Sequence, residues 1–407
     1  MLDGKRFHIT QPIGGCNVDV FRFINPNAQT KMENGEIING FTSKMWIERY
    51  NSAGEFKLVG PISAGVREAL PIGSFVSHVN SKDIMIVENH EINDSAGKES
   101  MVTISGRGFE TFFEHKITGT DAQTTYNEFL NYTIPQTYTW IQASLLLKRW
   151  TSDPYIDPAY ALLGLTQLFD NIPYINVSYE TPSGFTGEQI ARNYPSFNTV
   201  YKDLMDLLAI DGFGIKVLRP SILNPSSIAA GNLGIIIHRG VDRSNKIVFS
   251  YDNNEITSAD YLWSNKNFSN AVVVGTTYSL SLVTNEENTL AHRGINRRMM
   301  YIEAKWIDSN LTFAEYIANN GAQADIIHNI ANVYGRQILA SQNHTVLAKV
   351  EVAKGNATTG TYRVDYDVGD IIMVSGDYNE SSKMRISEYV ETEDATGESG
   401  YPTLTLL

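Results

Sequence analysis

Apolar and polar positions alternate in the same way in two stretches near opposite ends of the chain. The first runs from Leu70 to Gly106 and the second from Arg363 to Leu407. Ile86 aligns with Ile386, Glu88 with Glu388, Asp94 with Asp394, Gly97 with Gly397 and Thr103 with Thr403, each pair 300 positions apart. Gly73 and Gly369 are 296 apart, so the second copy carries four more residues between its first two strands. Each copy predicts a three-strand meander: a Gly opens a strand, a polar loop turns it, and an alternating second strand follows. Asp-Ser-Ala-Gly or Asp-Ala-Thr-Gly then makes a hairpin turn into the third strand, with Gly supplying φ > 0. The even offset predicts that Ile84 and Ile86 face the same side as Met384 and Ile386. Two copies predict two related small β-barrels or sandwiches.

Elsewhere the pattern changes along the chain. Residues 1 to about 40, with Gly14 and Gly15, read as an extended arm or a few short strands; Met45–Tyr50 and Gly54–Val59 read as a hairpin. Helical periodicity then appears over Asp121–Trp150, with Phe129, Leu130, Leu145, Leu146 and Leu147 as core candidates. It returns over Pro158–Asn171, which opens on Asp157-Pro158, a good cap and first-turn pair. The clearest helix begins at Asn198, placed to cap it, with Val200, Leu204, Leu207 and Leu208 on one face; Asp211-Gly-Phe-Gly stops it before a strand at Ile215. Strands follow at Ile235, Ile247, Asn270 and Met300. A long helix is predicted over Thr312–Ser341, which Gly321 would break. The predicted fold class is α+β. Its four parts are a first β-barrel with an N-terminal arm (1–115), an α/β insertion (116–230), a β-rich middle region (231–310), and a helix plus second barrel (311–407).

At 407 residues the chain exceeds one ordinary core. The 42% hydrophobic content suits a folded protein, and 21 Tyr with 17 Phe suit strands. A net charge of −13 argues against a general phosphate-binding surface. Cys16 is the single cysteine, which rules out an intrachain disulfide framework or zinc ribbon and suits a reducing cytoplasm. The first residues lack the apolar run of a signal peptide, and the longest apolar runs are strand-length, so no stable membrane insertion is expected.

A search for chemistry finds no catalytic, cofactor-binding or metal constellation. His90-Glu91 has no second His at helical spacing and lies in a predicted strand. Neither a Gly-x-Ser-x-Gly elbow nor a phosphate loop is present. Cys16 with His8 is a lone thiol in a Gly-rich arm. Asp365, Asp367 and Asp370 depart from an EF-hand spacing and read as solvated carboxylates opening a strand. Glu88 and Glu388 read as carboxylates at a barrel rim or paired with an Arg rather than a glycosidase pair. Arg293, Arg297 and Arg298 form a lone basic cluster, read as a loop or interface contact. The chain is therefore expected to be no enzyme and to need no cofactor.

The order of the remaining segments is more informative. After the first meander come Asp-Leu-Leu-Ala at 206–209, Gly212-Phe-Gly, Gly240-Val-Asp-Arg-Ser, Val248-Phe-Ser, Asn270-Ala-Val-Val-Val-Gly, Arg297-Arg298 leading to Tyr301, and Asp367-Val-Gly-Asp. In this order and spacing the chain resembles the tail-hub proteins of long-tailed bacteriophages. These include the N-terminal half of tail-associated lysins and are similar to the T-even baseplate hub. The resemblance covers nearly the whole chain beyond residue 40. It implies two tail-tube-like barrels with α/β insertion domains, assembled as a homotrimer. Two barrels in each of three chains make a pseudo-six-fold ring, able to meet a six-fold tube while presenting three-fold symmetry. It further implies a tail-tip hub in the virion, assembled in the host cytoplasm, closing the tube and lining the channel for DNA ejection. The implied partners are the distal tail protein ring, the tape-measure protein C-terminus and a tip fibre or receptor-binding protein, with DNA only in transit. Many relatives continue into a peptidase or cell-wall hydrolase, whereas this sequence stops within the last strand. The alternative is a host-attachment component that binds or hydrolyses cell-wall polysaccharide.

Overall fold

The structure is a computed structural model. It describes residues 16–23, 32–94, 97–115, 175–180, 199, 201–202, 204–205, 208, 212–220, 231–264, 268–284, 294–308, 312–317, 322–340, 345–352, 360–376 and 381–407. The helices predicted over 121–150 and 158–171 lie outside these residues, as do His8, Gly14, Gly15, Asn198, Arg293 and Gly321.

One sheet of eleven strands organises the chain. Its N-terminal part comprises β1 (Cys16–Phe23), β2 (Met32–Phe41), β3 (Ser43–Arg49), β4 (Glu55–Pro61), β5 (Phe75–His78), β6 (Met85–Asn93) and β7 (Met101–Gly108). These stand in the order β3-β4-β7-β6-β5-β1-β2 and curl around a core that includes Trp46, Phe56, Leu58, Val76, Met85 and Ile104. Of the N-terminal stretch read as an extended arm or a few short strands, Cys16–Phe23 and Met32–Phe41 are strands of this sheet.

Three further small sheets follow. The inserted one holds β8 (Ile175–Glu180), β9 (Gly214–Leu218) and β10 (Leu233–His238), with β10 central, parallel to β8 and antiparallel to β9. Every residue of β10 is buried, which explains its unbroken apolar run. Residues Tyr201, Lys202, Leu204, Met205 and Leu208 are helical, and Thr199 Oγ1 accepts the Lys202 N–H at 3.2 Å, the bond of a helix cap.

After β11 (Val248–Ser250), β12 (Ile256–Ser264) pairs with a strand that comes much later. β13 (Ala271–Gly275) is flanked by β14 (Leu280–Thr284) and β15 (Met299–Glu303). One face of this sheet packs on the helix Ala322–Ala340 through Val272, Val274 and Val283. Leu280, Leu282, Met299 and Tyr301 are exposed. Within the predicted long helix, Phe313–Ile317 and Ala322–Ala340 are helical. β16 (Thr345–Val352) is the partner of β12.

The second meander is β17 (Ile371–Ser375), β18 (Ser381–Asp394) and β19 (Gly397–Leu406). It repeats the backbone of the first in detail. Gly73 and Gly369 have φ of 88° and 97°, and each donates its N–H to the second strand, Gly73 to Val87 O and Gly369 to Ile386 O, both at 2.8 Å. The residue after each glycine accepts the return bond. Both hairpins carry a register shift at one place, between Val87 and Asn89 and between Ile386 and Glu388. The hydrogen bonds put the second strands 299 positions apart, Val87 matching Ile386 and Phe75↔Ile86 matching Ile371↔Arg385. This corrects the parity read from the sequence. The core-facing counterparts of Met384 and Ile386 are Met85 and Val87, while Ile86 points to the half-exposed side.

The expectation of two closed barrels is also corrected. Among the described residues no ladder closes either meander on itself. Instead β18, fourteen residues long, carries β19 on one side and both β17 and β3 on the other. Its N-terminal half pairs β17, its C-terminal half pairs β3, and the two meanders become one sheet.

Candidate functional site at the three-way junction

Tyr50 directly follows β3, and its ring passes out of the first meander into the rest of the molecule. Its N–H donates to Ser387 O at 2.9 Å and its carbonyl accepts from Ile215 N at 3.2 Å. The hydroxyl donates to Gly212 O at 2.6 Å and accepts from Gly240 N at 3.3 Å. The ring lies edge-on to His238 and beneath the Arg385 guanidinium, 4.9 Å away. Gly214 and Gly369 leave room for it, since a Cβ at either would overlap the ring. One side chain therefore touches both meanders and the inserted sheet.

Two of the segments that carry the resemblance meet beside it. Asp370 is buried; its Oδ1 accepts Val241 N–H at 2.7 Å and its Oδ2 takes Arg243 Nε at 2.6 Å. Asp242 bridges to Ile371, and β11 runs parallel to β17. Asp242-Arg-Ser and Asp367-Val-Gly-Asp are thus the two halves of one clasp. Asp365 and Asp367 bond neighbouring backbone N–H groups, of Thr361 and Val368, as turn carboxylates do.

Along the β3–β18 seam lies a buried set of charges. Lys44 Nζ contacts Glu391 Oε1 at 2.7 Å, Glu393 Oε2 at 3.1 Å and His78 Nε2 at 2.6 Å. Arg363 spans Glu391 (3.1 Å) and Glu48 (2.8 Å), and Tyr362 Oη donates to Glu48 at 2.5 Å. Ser81 Oγ also bonds Glu48. Arg363 holds φ at 65°, a left-handed conformation uncommon for a non-glycine residue. Burial alone would raise the Glu48 carboxyl, but the Arg363 charge and hydrogen bonds from Arg363, Ser81 and Tyr362 hold it below the ordinary range. His78 moves to about 4, because burial and the Lys44 and Arg363 charges outweigh Glu391. It is therefore neutral at pH 7, with Nε2 accepting from the Lys44 ammonium and Nδ1 3.2 Å from Glu391.

Next to this seam is a cavity of about 210 Å³, floored by β9 and β10 and walled by the two meanders. Glu48, Arg49, Lys82, Asp83, Lys216 and Asp367 give it its charge, with Arg363 and His238 completing the polar lining. Glu110, beneath the same region, is buried and raised to about 7 by burial.

The other residues weighed from sequence are dispersed. Glu88 forms a two-pronged pair with Arg107 at 2.9 Å for each bond, and Glu388 pairs with Arg49 at 2.8 Å, so both are the Arg-paired carboxylates expected. His90 Nε2 meets Leu70 O at 2.7 Å and Glu91 is exposed. Cys16 opens β1. Arg298 binds Asn270 through its backbone, closing the turn before β15. Among the described residues no group of three or more His, Cys, Asp or Glu could hold a metal ion. Sequence reasoning missed Tyr50, Lys44, His78, Arg363 and Glu391; the one signal was the alternation Lys44-Met-Trp46-Ile-Glu48, which puts two charges on the face of a core Trp.

Fold and site together define a sheet-dominated α+β protein made of a doubled meander, with its buried charges spent on joining its own parts. The family model described as Siphovirus ReqiPepy6 Gp37-like protein matches residues 30–404, and the chain belongs to that family. The resemblance to long-tailed phage tail proteins drawn from the sequence is borne out. Among solved structures the chain is similar to a tail protein from Neisseria meningitidis MC58 (11% identity, TM-score 0.49, 97% of each chain). It is also similar to the 43 kDa tail protein of prophage MuSo2 from Shewanella oneidensis (14%, 0.46, 96% of this chain and 98% of that one). A third is prophage tail protein gp18 from Listeria monocytogenes EGD-e (12%, 0.46, 95% and 94%). None of the curated proteins matches the sequence.

Proposed function

We propose that the chain is a structural, non-enzymatic hub of a phage tail tip, acting as a homotrimer whose three chains form a pseudo-six-fold ring. The observation that carries this reading is the doubled meander. Two units with matching glycine clasps, bulges and core positions are fused edge to edge, so three chains present six near-equivalent units around an axis. Such a ring meets a six-fold tube or distal tail ring on one side and a three-fold fibre or receptor-binding protein on the other. The tape-measure C-terminus and DNA would pass through its centre. Membership of a siphovirus family supports the setting in the virion. The exposed apolar face of the β14–β13–β15 sheet is of the kind a neighbouring subunit covers. The four-part division at 115, 230 and 310 is kept as part of this proposal.

The test is light scattering with negative-stain imaging of the purified chain, alone and with its distal tail ring. A three-lobed ring of about 136 kDa, three times the 45.3 kDa chain, supports the hub. Glu88→Gln and Asp367→Asn should leave assembly unchanged. A chain that stays monomeric with the distal ring present refutes it and directs attention to binding and hydrolysis of cell-wall glycans.

A further inference from the structure

We infer that neighbouring copies of this chain join strand to strand, the outer edge of β12 in one copy pairing with the C-terminal half of β6 in the next. This seam presupposes the trimeric ring proposed above and supplies its contact. Its pattern already exists inside the chain, where β3 of the first unit lies antiparallel on the C-terminal half of β18 in the second.

The two units match beyond their meanders. In the first, the antiparallel pair β3 and β4 precedes the meander, and β1 lies beside the opening strand β5. In the second, the antiparallel pair β12 and β16 precedes the meander, and β11 lies beside β17, there in the parallel sense. β4 pairs with the third meander strand β7, and β16 packs beside the third meander strand β19. The cores agree as well. Trp46 of β3, Leu58 of β4 and Ile104 of β7 share one cluster; Ile256 of β12 and Leu404 of β19 share the other, with Val352 of β16 packed against it. β12 is therefore the counterpart of β3. β3 is paired on both sides, by β4 and β18, whereas among the described residues β12 is paired by β16 alone.

The receiving edge follows from the same equivalence. With the second strands 299 positions apart, Glu388–Glu393, which take β3, correspond to Asn89–Asp94. On the side of β6 away from β7, backbone bonds from β5 and the residues before it reach only as far as Val87. Among the described residues no strand pairs that side beyond it. Burial shows what is missing. Val390 and Glu391 are 7% and 5% exposed with β3 in place, while at the matching places Glu91 is exposed and Ile92 is 46% exposed. Tyr50 N–H donates to Ser387 O in the inner seam, so Ser387 and alternate residues after it turn their backbone groups toward β3. The matching groups of Glu88, His90 and Ile92 then face the open edge, a ready template for another strand. The inner contact runs head to tail, the outer strand of one unit on the second meander strand of the other. Repeated through β12 and β6 it passes from chain to chain, and in the proposed ring it closes after three chains.

The experiment is cross-linking of the purified full chain with a short bismaleimide, in a Cys16→Ser background carrying Glu91→Cys on β6 and Ser258→Cys on β12, both exposed positions. Light scattering on the same sample gives the mass before treatment. Covalent dimers and trimers are expected on a denaturing gel. Chains carrying either cysteine alone should stay single, and an equal mixture of the two should give dimers only. Ile92→Pro removes an outward amide and leaves the ladder with β7 intact, and Ile92→Lys puts a charge on the open edge. With circular dichroism unchanged, each should take the mass from about 136 kDa to the 45.3 kDa of one chain. A trimer that yields no cross-link between the two positions, or that survives both Ile92 variants, overturns the seam and leaves the ring standing. Cross-linking by Glu91→Cys alone means that like edges meet and overturns the seam as well. A chain that stays monomeric even with its distal tail ring removes both seam and ring.

Discussion

Replacing Lys44 by Met should produce a stability cost that shrinks on acidification. The Lys44 side chain is fully buried and holds Glu391, Glu393 and His78 together across the β3–β18 seam. Methionine fills much of the same volume but leaves Glu391 with Arg363 as its remaining cation, at 3.1 Å. Breaking a buried pair on one side costs about 3–5 kcal/mol. The pH dependence comes from His78. In the native chain its pKa is lowered to about 4, so between pH 6.5 and 4 the unfolded chain takes a proton that the folded chain refuses. Native stability is therefore lost as pH falls through that window. In the variant the Lys44 charge is gone while Glu391 stands 3.2 Å from Nδ1; burial and Arg363 still oppose protonation, so the folded-state pKa of His78 rises only part of the way back. From pH 6.5 to 5 the difference between the two proteins should narrow, by no more than about 2 kcal/mol at about 1.36 kcal/mol per pH unit. Urea unfolding at pH 5, 6, 7 and 8, followed by tryptophan fluorescence, measures it, and Trp46 beside His78 is a local reporter. Glu110 titrates in the same range but is present in both proteins and cancels in the difference. A cost equal at pH 5 and pH 8 would refute the coupling between Lys44 and His78.

Three further outcomes are expected. Glu110→Gln should stabilise the chain above pH 7, by up to about 3 kcal/mol: the raised carboxyl keeps its proton to about 7, so folding is penalised as pH rises from 4.5 through that value. Urea midpoints at pH 5 and 8 show whether the gain is confined to the higher pH. Tyr50→Phe removes the bonds to Gly212 O and Gly240 N, costing roughly 1–2 kcal/mol. Hydrogen exchange should quicken over Gly212–Leu218, and unchanged protection there would show that the hydroxyl does not tie down the inserted sheet. Gly73→Ala and Gly369→Ala face similar positive φ, but only at Gly369 would the added Cβ strike the Tyr50 ring. The first should cost about 1–2 kcal/mol in strain and the second several kcal/mol more; equal melting shifts would contradict this.

Much of the fold was legible because its signals are local. Period-2 alternation and Gly-turn chemistry reveal both meanders, and the buried run Leu233–His238 reveals a central strand. The repeat was read one residue out of register because identical residues were matched at an offset of 300, whereas the offset of the second strands is set by hydrogen bonds at Val87 and Ile386, 299 apart. The ladder between β3 and β18 joins residues some 340 positions apart and leaves no local trace, so two separate barrels were the natural expectation. The junction was hidden for the same reason. Lys44, His78, Arg363 and Glu391 each look like surface residues until four distant segments bring them together.

The pairing of β3 with β18 also has a consequence in time. At about 5–20 residues per second, a ribosome that has made Arg49 reaches Glu388 only some twenty seconds to a minute later. Throughout that interval the growing polypeptide exposes one long side of β3, with its amides and carbonyls open to any extended segment nearby. Lys44 and Glu48 point inward from that side, where Glu48 lacks its counter-ion until Arg363 arrives and Lys44 until Glu391 and Glu393 do. A stray strand docking there would bury two uncompensated charges. The same side chains that seal the seam in the finished molecule therefore act, during synthesis, as sentries that admit one late-coming segment and turn others away.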